Sequence, residues 1–244
     1  MSVRDKFVPF IIGVAVCGAI VAAGLVVQSR RAPPPVAPVQ DGTQPNVQPA
    51  VVPPPAAGDA DAPKPIANWE QYIPTGRLVG PQNAPLTLVE FADFQCPACK
   101  TLHDQLKALQ TEYPGALAIS YHYVPLPYHE MGYPAARAAE CAAEQGRFEP
   151  YYDKLYENTD ALGSVSFSGL ARQAGVPDIK KFDACAAKTE PVKRIEDDQA
   201  LALGTLQIRG TPTVIVNGQM YYYAPKMPAL KQMIEEAKAR AGKR

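Results

Sequence analysis

The sequence predicts an α/β fold, and three observations support this prediction. Residues 86–91 form a short apolar run, as a buried strand would, and a helix-forming stretch from 97 to about 111 follows them. Residues 116–123 alternate like a second strand, and the order strand, helix, strand is typical of a right-handed parallel unit. Asn217-Gly218 separates two further β-prone runs, which predicts a hairpin.

Composition limits the class of protein. The chain has 244 residues, of which 47% are apolar, and its formal net charge is zero. This length allows one domain of ordinary size with appendages. The balanced charge gives no reason to expect nucleic acid as a partner. Many of the 26 prolines cluster near the N-terminus, which sets that region apart from the rest of the chain.

Residues 1–31 are expected to form a membrane anchor. The run 7–27 carries no charged side chain, and as a helix it would be roughly 30 Å long, enough to cross a bilayer. A signal segment is the alternative, because small residues that suit a cleavage site lie at 22–24. Basic residues flank both ends of the run, so the positive-inside rule leaves its orientation open. Cys17 lies within the run and is expected to be an apolar residue of the membrane helix.

Residues 32–68 are expected to form a disordered, proline-rich linker. The segment is rich in Pro, Ala, Val and Gln and shows no periodicity, so it cannot build a core. An extended polyproline-like chain of this length would hold the following domain away from the membrane. A docking site for a proline-binding domain is the alternative.

Residues 69–244 are expected to form one domain. Residues 69–81 lack a periodic pattern and are expected to be an irregular lead-in. Good helix formers dominate the middle of the domain and predict a helical insertion over about 130–204. Strand-like residues return at 213–223, and an amphipathic helix over 227–241 closes the domain.

The clearest functional signal is the sequence Cys96-Pro97-Ala98-Cys99, which lies between the first strand and the first helix. The first N–H groups of a helix have no intrahelical partner, and the helix dipole places partial positive charge there. A thiolate at this point is stabilised, so we expect Cys96 to be exposed and reactive. Cys99 lies one turn inside the helix, where it is expected to be buried and to have a higher pKa. Pro97 suits the first helical position.

These features resemble the DsbA-like branch of the thioredoxin fold. The segment 91–100 is similar to the active-site sequence of that family, and Gly-Thr-Pro-Thr at 210–213 is similar to its cis-proline loop. The stretch 134–148 is similar to the start of its inserted helical domain, and Glu90 occupies the place of a buried acid. The resemblance covers about residues 76–240. It implies a thioredoxin fold with an inserted helical subdomain, preceded here by the expected transmembrane helix and linker.

The resemblance implies a thiol–disulfide oxidoreductase that acts on cysteine-containing substrate proteins. Cys96 would be the attacking thiol and Cys99 the resolving thiol. Thr211 and Pro212 would form a cis peptide bond against the pair and receive the substrate backbone. Glu90 is expected to be a proton relay for Cys99, with a structural acid at the end of a strand as the alternative. No cofactor and no metal are expected.

The sequence leaves the direction of the reaction open. Strongly oxidising members of the family often carry His between the cysteines, where this chain has Ala98, and Thr211 resembles the isomerase and reductase relatives. A copper- or zinc-handling module is an alternative from another class, although no second Cys-x-x-Cys or His-x3-His supplies further ligands. A silent adaptor of the same fold is a third, which the intact cysteine pair argues against.

Cys141 and Cys185 are the two cysteines left in the predicted domain, and both lie in its helical insertion. We expect a structural disulfide between them, with two buried free thiols as the alternative. Because disulfides suit an oxidising compartment, we expect a domain in the periplasm, tethered to a bacterial inner membrane by one span. A membrane or periplasmic redox partner would reset Cys96 and Cys99.

The remaining polar candidates are expected to be structural. Asp93 suits a loop or helix-cap residue. Three histidines are expected not to be catalytic: His103, His122 and His129. The tyrosines at 221–223 are expected to pack within a strand.

Overall fold

The computed structural model describes residues 62–243. The expected membrane segment, 1–31, and most of the expected linker, 32–68, lie outside the described residues. Within residues 62–243, no helix is both long enough and apolar enough to cross a membrane. The described residues are those of the predicted domain and of the last part of the linker.

One six-stranded sheet forms the centre of the described part of the chain. Its strands are β1 (Lys64–Pro65), β2 (Arg77–Val79), β3 (Leu86–Ala92), β4 (Leu117–Tyr123), β5 (Thr213–Val216) and β6 (Gln219–Tyr222). Their order across the sheet is β1-β6-β5-β3-β4-β2. β3 and β4 are parallel, and the other neighbouring pairs are antiparallel. The central position of β3 explains its continuous apolar sequence, because both of its faces are covered.

Helices surround this sheet, and most of them form an insertion. They are α1 (Pro97–Glu112), α2 (Gly132–Ala143), α3 (Phe148–Glu157), α4 (Phe167–Gln173), α5 (Ile179–Ala186), α6 (Lys193–Gln199) and α7 (Met227–Ala241). α1 connects β3 to β4, and α7 follows the hairpin of β5 and β6. Helices α2 to α6 lie between β4 and β5, and a π-helical turn at Ala200–Thr205 ends this block. The architecture is the predicted thioredoxin-like α/β fold with inserted helices.

Local sequence explains where α1 and the hairpin begin. Pro97 occupies the first turn of α1, where its missing N–H costs no hydrogen bond. Asn217 and Gly218 have φ values of 49° and 76°, as a two-residue type I′ turn requires at both positions. Val216 therefore lies opposite Gln219, which sets the register of β5 and β6.

The start of the domain is more ordered than the sequence indicated. Trp69–Tyr72 forms a 3-10 turn and β2 pairs with β4, although residues 69–81 were expected to be irregular. Lys64 and Pro65, which fall within the expected linker, pair with β6 at the edge of the sheet, where proline is tolerated. β1 and β2 are two and three residues long, too short for periodicity to reveal. The domain thus begins earlier, and its lead-in is more regular, than predicted.

A cluster of aromatic rings joins the insertion to the sheet. Phe94 stacks on Tyr121 of β4 with ring centroids 5.1 Å apart, and it contacts Tyr156 of α3 at 5.0 Å. Tyr152 of α3 packs edge-on against Tyr121 at 5.2 Å. All four side chains are buried. Because the insertion and the sheet share this core, each depends on the other for the burial of its apolar surface.

Cys141 and Cys185 are joined by a disulfide bond that ties α2 to α5. The two residues are 44 positions apart in the chain. Cys141 is buried and Cys185 is partly exposed. In the chain-entropy model, a cross-link of this span stabilises the fold mainly by restricting the unfolded chain.

We expect the double variant Cys141→Ser/Cys185→Ser to unfold at a lower urea concentration than the parent protein. A loop of this size contributes about 4 kcal/mol in the chain-entropy model, and measured values are often smaller. The matched control is Cys96→Ser/Cys99→Ser. A disulfide between Cys96 and Cys99 would close only a very short loop, so this variant should lose less stability. Coincident unfolding curves for the parent protein and the Cys141/Cys185 variant would contradict the stabilising role.

Candidate active site

Cys96 and Cys99 lie where the loop after β3 enters α1. Cys96 is the residue that caps this helix, with φ −81° and ψ 120°, and Pro97 follows it at the start of the helix. The carbonyl of Cys96 accepts a hydrogen bond from the Lys100 N–H at 3.1 Å, which begins the helical pattern. The N–H groups of the first turn are therefore left free close to the Cys96 side chain.

The structure covers Cys96 more than the sequence predicted. The residue is 6% exposed, and its sulfur lies 3.5 Å from the carbonyl oxygen of Thr211. Thr211 precedes Pro212, to which it is joined by a cis peptide bond, in the loop before β5. Cys99 is fully buried. Cys96 is thus less exposed than predicted, because the Thr211 loop lies against it, but it is still the more accessible of the two thiols.

The two thiols differ in acidity, and contacts within the site cause the difference. The pKa of Cys96 is lowered to about 5, mainly because the Cys99 thiol donates a hydrogen bond to its sulfur. Burial acts in the opposite direction. The backbone N–H groups of Cys99 and Ala98 lower the pKa further. Burial, followed by the hydrogen bond to Cys96 and the charge of Cys96, raises the pKa of Cys99 well above its usual range. At neutral pH Cys96 is therefore a thiolate and Cys99 a thiol.

Glu90 is a buried acid close to the cysteine pair. It lies in β3 opposite Tyr121 of β4 and is fully buried. Within residues 62–243, neither of its carboxyl oxygens has a hydrogen-bond partner, and neither does the nearby Tyr152 hydroxyl. Burial raises the pKa of Glu90 to about 8, so the carboxyl holds a proton at neutral pH. The charge of Glu90 also contributes to the raised pKa of Cys99, which means that the two groups interact.

An apolar groove of about 290 Å³ lies beside the cysteine pair. Its lining includes Ala98 from the active-site sequence, Pro212 from the loop before β5, and Tyr223 and Met227 from the region where α7 begins. Tyr223 is 66% exposed, and its N–H donates to the Pro212 carbonyl at 2.8 Å. The expectation that Tyr223 packs within a strand is therefore wrong. No local signal reveals this, because β6 ends only one residue earlier, at Tyr222.

Two of the histidines hold the insertion against the α/β framework. His122 of β4 is fully buried, and its Nδ1 lies 2.8 Å from the carboxylate of Asp198 in α6. His103 of α1 lies with its Nε2 3.0 Å from the carboxylate of Asp153 in α3. Both imidazoles thus connect elements of the framework to inserted helices, and His103 is buried.

The alternative of a metal-handling module needs ligands in addition to the cysteine pair. Within residues 62–243, no group of three or more His, Cys, Asp or Glu side chains is arranged so that it could hold a metal ion. The Cys99 thiol donates a hydrogen bond to Cys96, and the sulfur of Cys96 also lies 3.5 Å from the Thr211 carbonyl oxygen.

Comparison with known proteins identifies the class. A family model described as thioredoxin matches residues 73–236. BdbD from Bacillus subtilis has a TM-score of 0.60 at 23% identity, over 74% of this chain and 98% of that one. The thiol-disulfide exchange protein α-DsbA2 from Wolbachia pipientis has a TM-score of 0.56 at 22% identity, over 69% of this chain and 91% of that one. At these identities the two solved structures show that the fold is shared.

The family model covers most of the described domain, and the chain belongs to the thioredoxin family. The inserted helices and the loop of Thr211 and Pro212 against the cysteine pair agree with the DsbA-like branch that the sequence resembles. Among curated relatives, the Na(+)/H(+) antiporter NhaA 3 of Salinispora tropica is 32% identical over 162 residues, covering 66% of this chain and 24% of the antiporter. The chain thus spans about a quarter of the length of that relative.

We expect Glu90→Gln to make the stability of the fold less dependent on pH. Folded Glu90 keeps its proton up to about pH 8, whereas the unfolded chain releases it near the ordinary glutamate pKa of 4.5. Between these values the folded state binds more protons, so this group makes stability fall as the pH rises. Each pKa unit corresponds to about 1.4 kcal/mol. Gln stays neutral, so the free energy of unfolding of the variant, relative to that of the parent protein, should be highest at alkaline pH.

Urea unfolding at acidic and alkaline pH measures this difference. Both proteins are compared with Cys96 and Cys99 oxidised, so that titration of the thiols does not contribute. Glu130→Gln is the matched control, because it makes the same replacement at an exposed position. A difference between Glu90→Gln and the parent protein that does not change with pH would contradict the buried, protonated state of Glu90.

Proposed function

We propose that this protein is a thiol–disulfide oxidoreductase that acts on cysteine-containing substrate proteins. The observation that carries the proposal is the contrast between the two thiols. The pKa of Cys96 is lowered to about 5 at the start of α1, and that of Cys99, one turn inside the helix, is raised. Thiol–disulfide exchange needs an attacking thiolate and a second thiol that can release the mixed disulfide.

In the oxidising direction, a substrate thiolate attacks the sulfur of Cys96. The bond between Cys96 and Cys99 breaks, and the sulfur of Cys99 leaves with the electron pair and takes up a proton. A second substrate thiolate then attacks the substrate sulfur of the mixed disulfide and releases Cys96 as a thiolate. The substrate loses two electrons and the cysteine pair gains them, and the same steps run backwards in the reducing direction.

Glu90 is suited to supply and accept the proton of Cys99. A thiolate at Cys99 would be fully buried, which is costly unless it is protonated promptly. Glu90 is protonated at neutral pH, since burial raises its pKa to about 8. When Glu90 is ionised, its charge raises the pKa of Cys99. A carboxyl with a pKa near the working pH can both donate and accept a proton.

The groove beside the pair supports a polypeptide substrate. Its lining brings Ala98 and Pro212 next to the exposed ring of Tyr223. An extended segment that carries a cysteine and an apolar neighbour fits such a surface, with the neighbour in the groove and the cysteine at Cys96. The backbone near Thr211 can pair with such a segment as an added strand does.

We further propose that the domain works outside the cytoplasm, in the periplasm, and is tethered to the bacterial inner membrane. The uncharged run 7–27 is long enough to span a bilayer, and the proline-rich segment after it suits a spacer. The disulfide between Cys141 and Cys185 suits an oxidising compartment. A membrane or periplasmic redox partner would then reset the pair after each cycle.

The low pKa of Cys96 favours the oxidising direction. A stabilised thiolate stabilises the reduced form of the pair, and a pair with a stable reduced form is a better oxidant. Ala98 supplies a backbone N–H to this thiolate but no side-chain charge. We therefore place the protein between the reducing and strongly oxidising extremes, with an isomerase or reductase of the same fold as the alternative.

We expect Cys99→Ser to accumulate mixed disulfides with substrate proteins. The Cys96 thiolate can still attack a substrate disulfide in this variant, which releases one substrate sulfur as a thiolate, but no thiol remains at position 99 to release the substrate. Non-reducing electrophoresis followed by identification of the partner proteins detects the complexes. Cys96→Ser is the matched control and should form none. Equal trapping by both variants would contradict the assignment of Cys96 as the attacking thiol.

We expect Ala98→His to make the pair more oxidising and to lower the pKa of Cys96. An imidazolium beside the thiolate stabilises it, and one pKa unit corresponds to about 1.4 kcal/mol, or ~30 mV for a two-electron couple. The parent potential should lie between about −270 mV and about −120 mV. Equilibration with glutathione measures the potential, and thiolate absorbance measures the pKa.

Ala98→Gln is the control for this experiment, because it adds a polar side chain without the charge. It should change the potential less than Ala98→His does. A less oxidising Ala98→His variant would contradict the account of Cys96 stabilisation. A parent potential at or below the thioredoxin value would favour the reductase.

A further inference from the structure

Asp93 is a buried carboxylate whose side chain joins two loops next to the cysteine pair. It follows β3 directly and is 2% exposed. One carboxylate oxygen accepts a hydrogen bond from the Gln95 N–H at 2.8 Å. The other accepts from the Leu126 N–H at 2.7 Å and lies 2.8 Å from Nδ1 of His129. Gln95 precedes Cys96, whereas Leu126 and His129 belong to the loop between β4 and α2.

The backbone of Asp93 contacts both cysteines. Its carbonyl oxygen accepts a hydrogen bond from the Cys96 N–H at 3.1 Å. Its N–H donates towards the sulfur of Cys99, a contact that acts to lower the pKa of Cys99. The backbone of Asp93 therefore contacts both Cys96 and the buried thiol of Cys99. Its side chain fixes Asp93 to the loop between β4 and α2.

The start of α2 lies directly against Asp93. A Cβ atom at position 132 would lie 2.9 Å from each carboxylate oxygen of Asp93, closer than side-chain carbons approach in proteins, so Gly132 permits the contact. The Met131 N–H also donates to the side-chain oxygen of Gln95 at 2.6 Å. The insertion thus contacts the active-site loop at two residues just before Cys96.

We propose that Asp93 is a positioning residue for the cysteine pair, held in place by the contacts of its carboxylate with Gln95, Leu126 and His129. These contacts are here called the Asp93 clasp. The proposal rests on the proposed redox role of the pair. The backbone groups that contact Cys96 and Cys99 move with Asp93. If the clasp opens, the N–H groups at the start of α1 and the Cys99 thiol lose their alignment with the sulfur of Cys96.

The direction in which Asp93→Asn moves the pKa of Cys96 distinguishes a positioning role of Asp93 from a purely electrostatic one. Asp93→Asn removes a negative charge near the Cys96 thiolate, and charge alone would then lower the pKa of Cys96. The clasp predicts the opposite. The Gln95 N–H approaches one carboxylate oxygen, whereas the Leu126 N–H and His129 approach the other. An amide has an oxygen at only one of these two positions and an NH2 group at the other, so some of these donors lose their acceptor and the alignment of the donors to Cys96 is lost. The pKa of Cys96 should therefore rise.

His129 offers a matched pair of variants. An ionised carboxylate only accepts hydrogen bonds, so Nδ1 of His129 must carry the proton that faces Asp93. His129→Phe keeps a ring of similar size but has no donor. His129→Asn can place an amide N–H close to the position of Nδ1. If the pKa of Cys96 rises in His129→Phe but stays near the parent value in His129→Asn, the effect is due to the hydrogen bond between His129 and Asp93.

The experiment measures the thiolate absorbance of reduced protein against pH, and the alkylation rates of Cys96 and Cys99 by iodoacetamide. In Asp93→Asn we expect the Cys96 midpoint to rise by about one pH unit, so that alkylation below the parent midpoint slows by about tenfold. In His129→Phe the Cys96 midpoint should also rise, but by less. In His129→Asn it should lie closer to the parent value. Asp104→Asn is the charge control, because Asp104 lies on α1 and pairs with Lys100.

Thermal unfolding of each variant separates loss of the fold from loss of positioning. Variants that unfold more easily but keep the parent Cys96 midpoint and alkylation rates would show that Asp93 is only structural, and the proposal would be wrong. A lowered midpoint in Asp93→Asn, as in the charge control, would also overturn it. If Asp93→Asn does not fold, the His129 pair decides. Iodoacetamide requires no protein substrate, so this test stands even if the protein does not exchange disulfides.

Discussion

The contact between the Cys96 thiolate and the Cys99 thiol, to which the free N–H groups at the start of α1 add, is the interaction on which the site depends. β3 lies in the middle of the sheet, so the loop after it carries Cys96 to a point flanked by β4 and β5. The Thr211 carbonyl approaches the same sulfur from the loop before β5, and the Cys99 thiol approaches it from within the helix. Segments far apart in the sequence therefore meet at one atom because of the strand order.

Glu90 shows that the domain gives up stability at this site. A buried carboxyl without a hydrogen-bond partner costs free energy, and Glu90 stays neutral only because its surroundings exclude water. Phe94 and Tyr121 form part of the buried cluster next to it, and Tyr152 reaches the cluster from α3. The insertion thus does more than enlarge the fold. It supplies part of the buried, apolar surroundings that raise the pKa of Glu90.

Sequence reasoning succeeded where the signal is local and failed where it depends on distant contacts. The cysteine pair, the proline after Cys96 and the Asn217-Gly218 turn each constrain their own backbone, so α1 and the hairpin were predictable. The position of Thr211 and Pro212 against the pair was predictable only through the resemblance to a known family, because 115 positions separate Cys96 from Thr211 and no local pattern joins them. Asp93 and His129 were likewise considered singly, although they are joined in the fold. Strands of two or three residues carry too little pattern to be recognised.

The contacts of Cys99 would also set the order of the steps in the proposed disulfide exchange. Two of the causes that raise its pKa are the charge of the Cys96 thiolate and the hydrogen bond donated to it. When Cys96 becomes part of a mixed disulfide, its charge disappears and its sulfur becomes a weaker acceptor. Both causes are then removed, so the pKa of Cys99 falls at the stage when its thiolate is needed to release the substrate. Before that stage, the Cys96 thiolate keeps Cys99 protonated, and Glu90 is the group that we propose exchanges its proton.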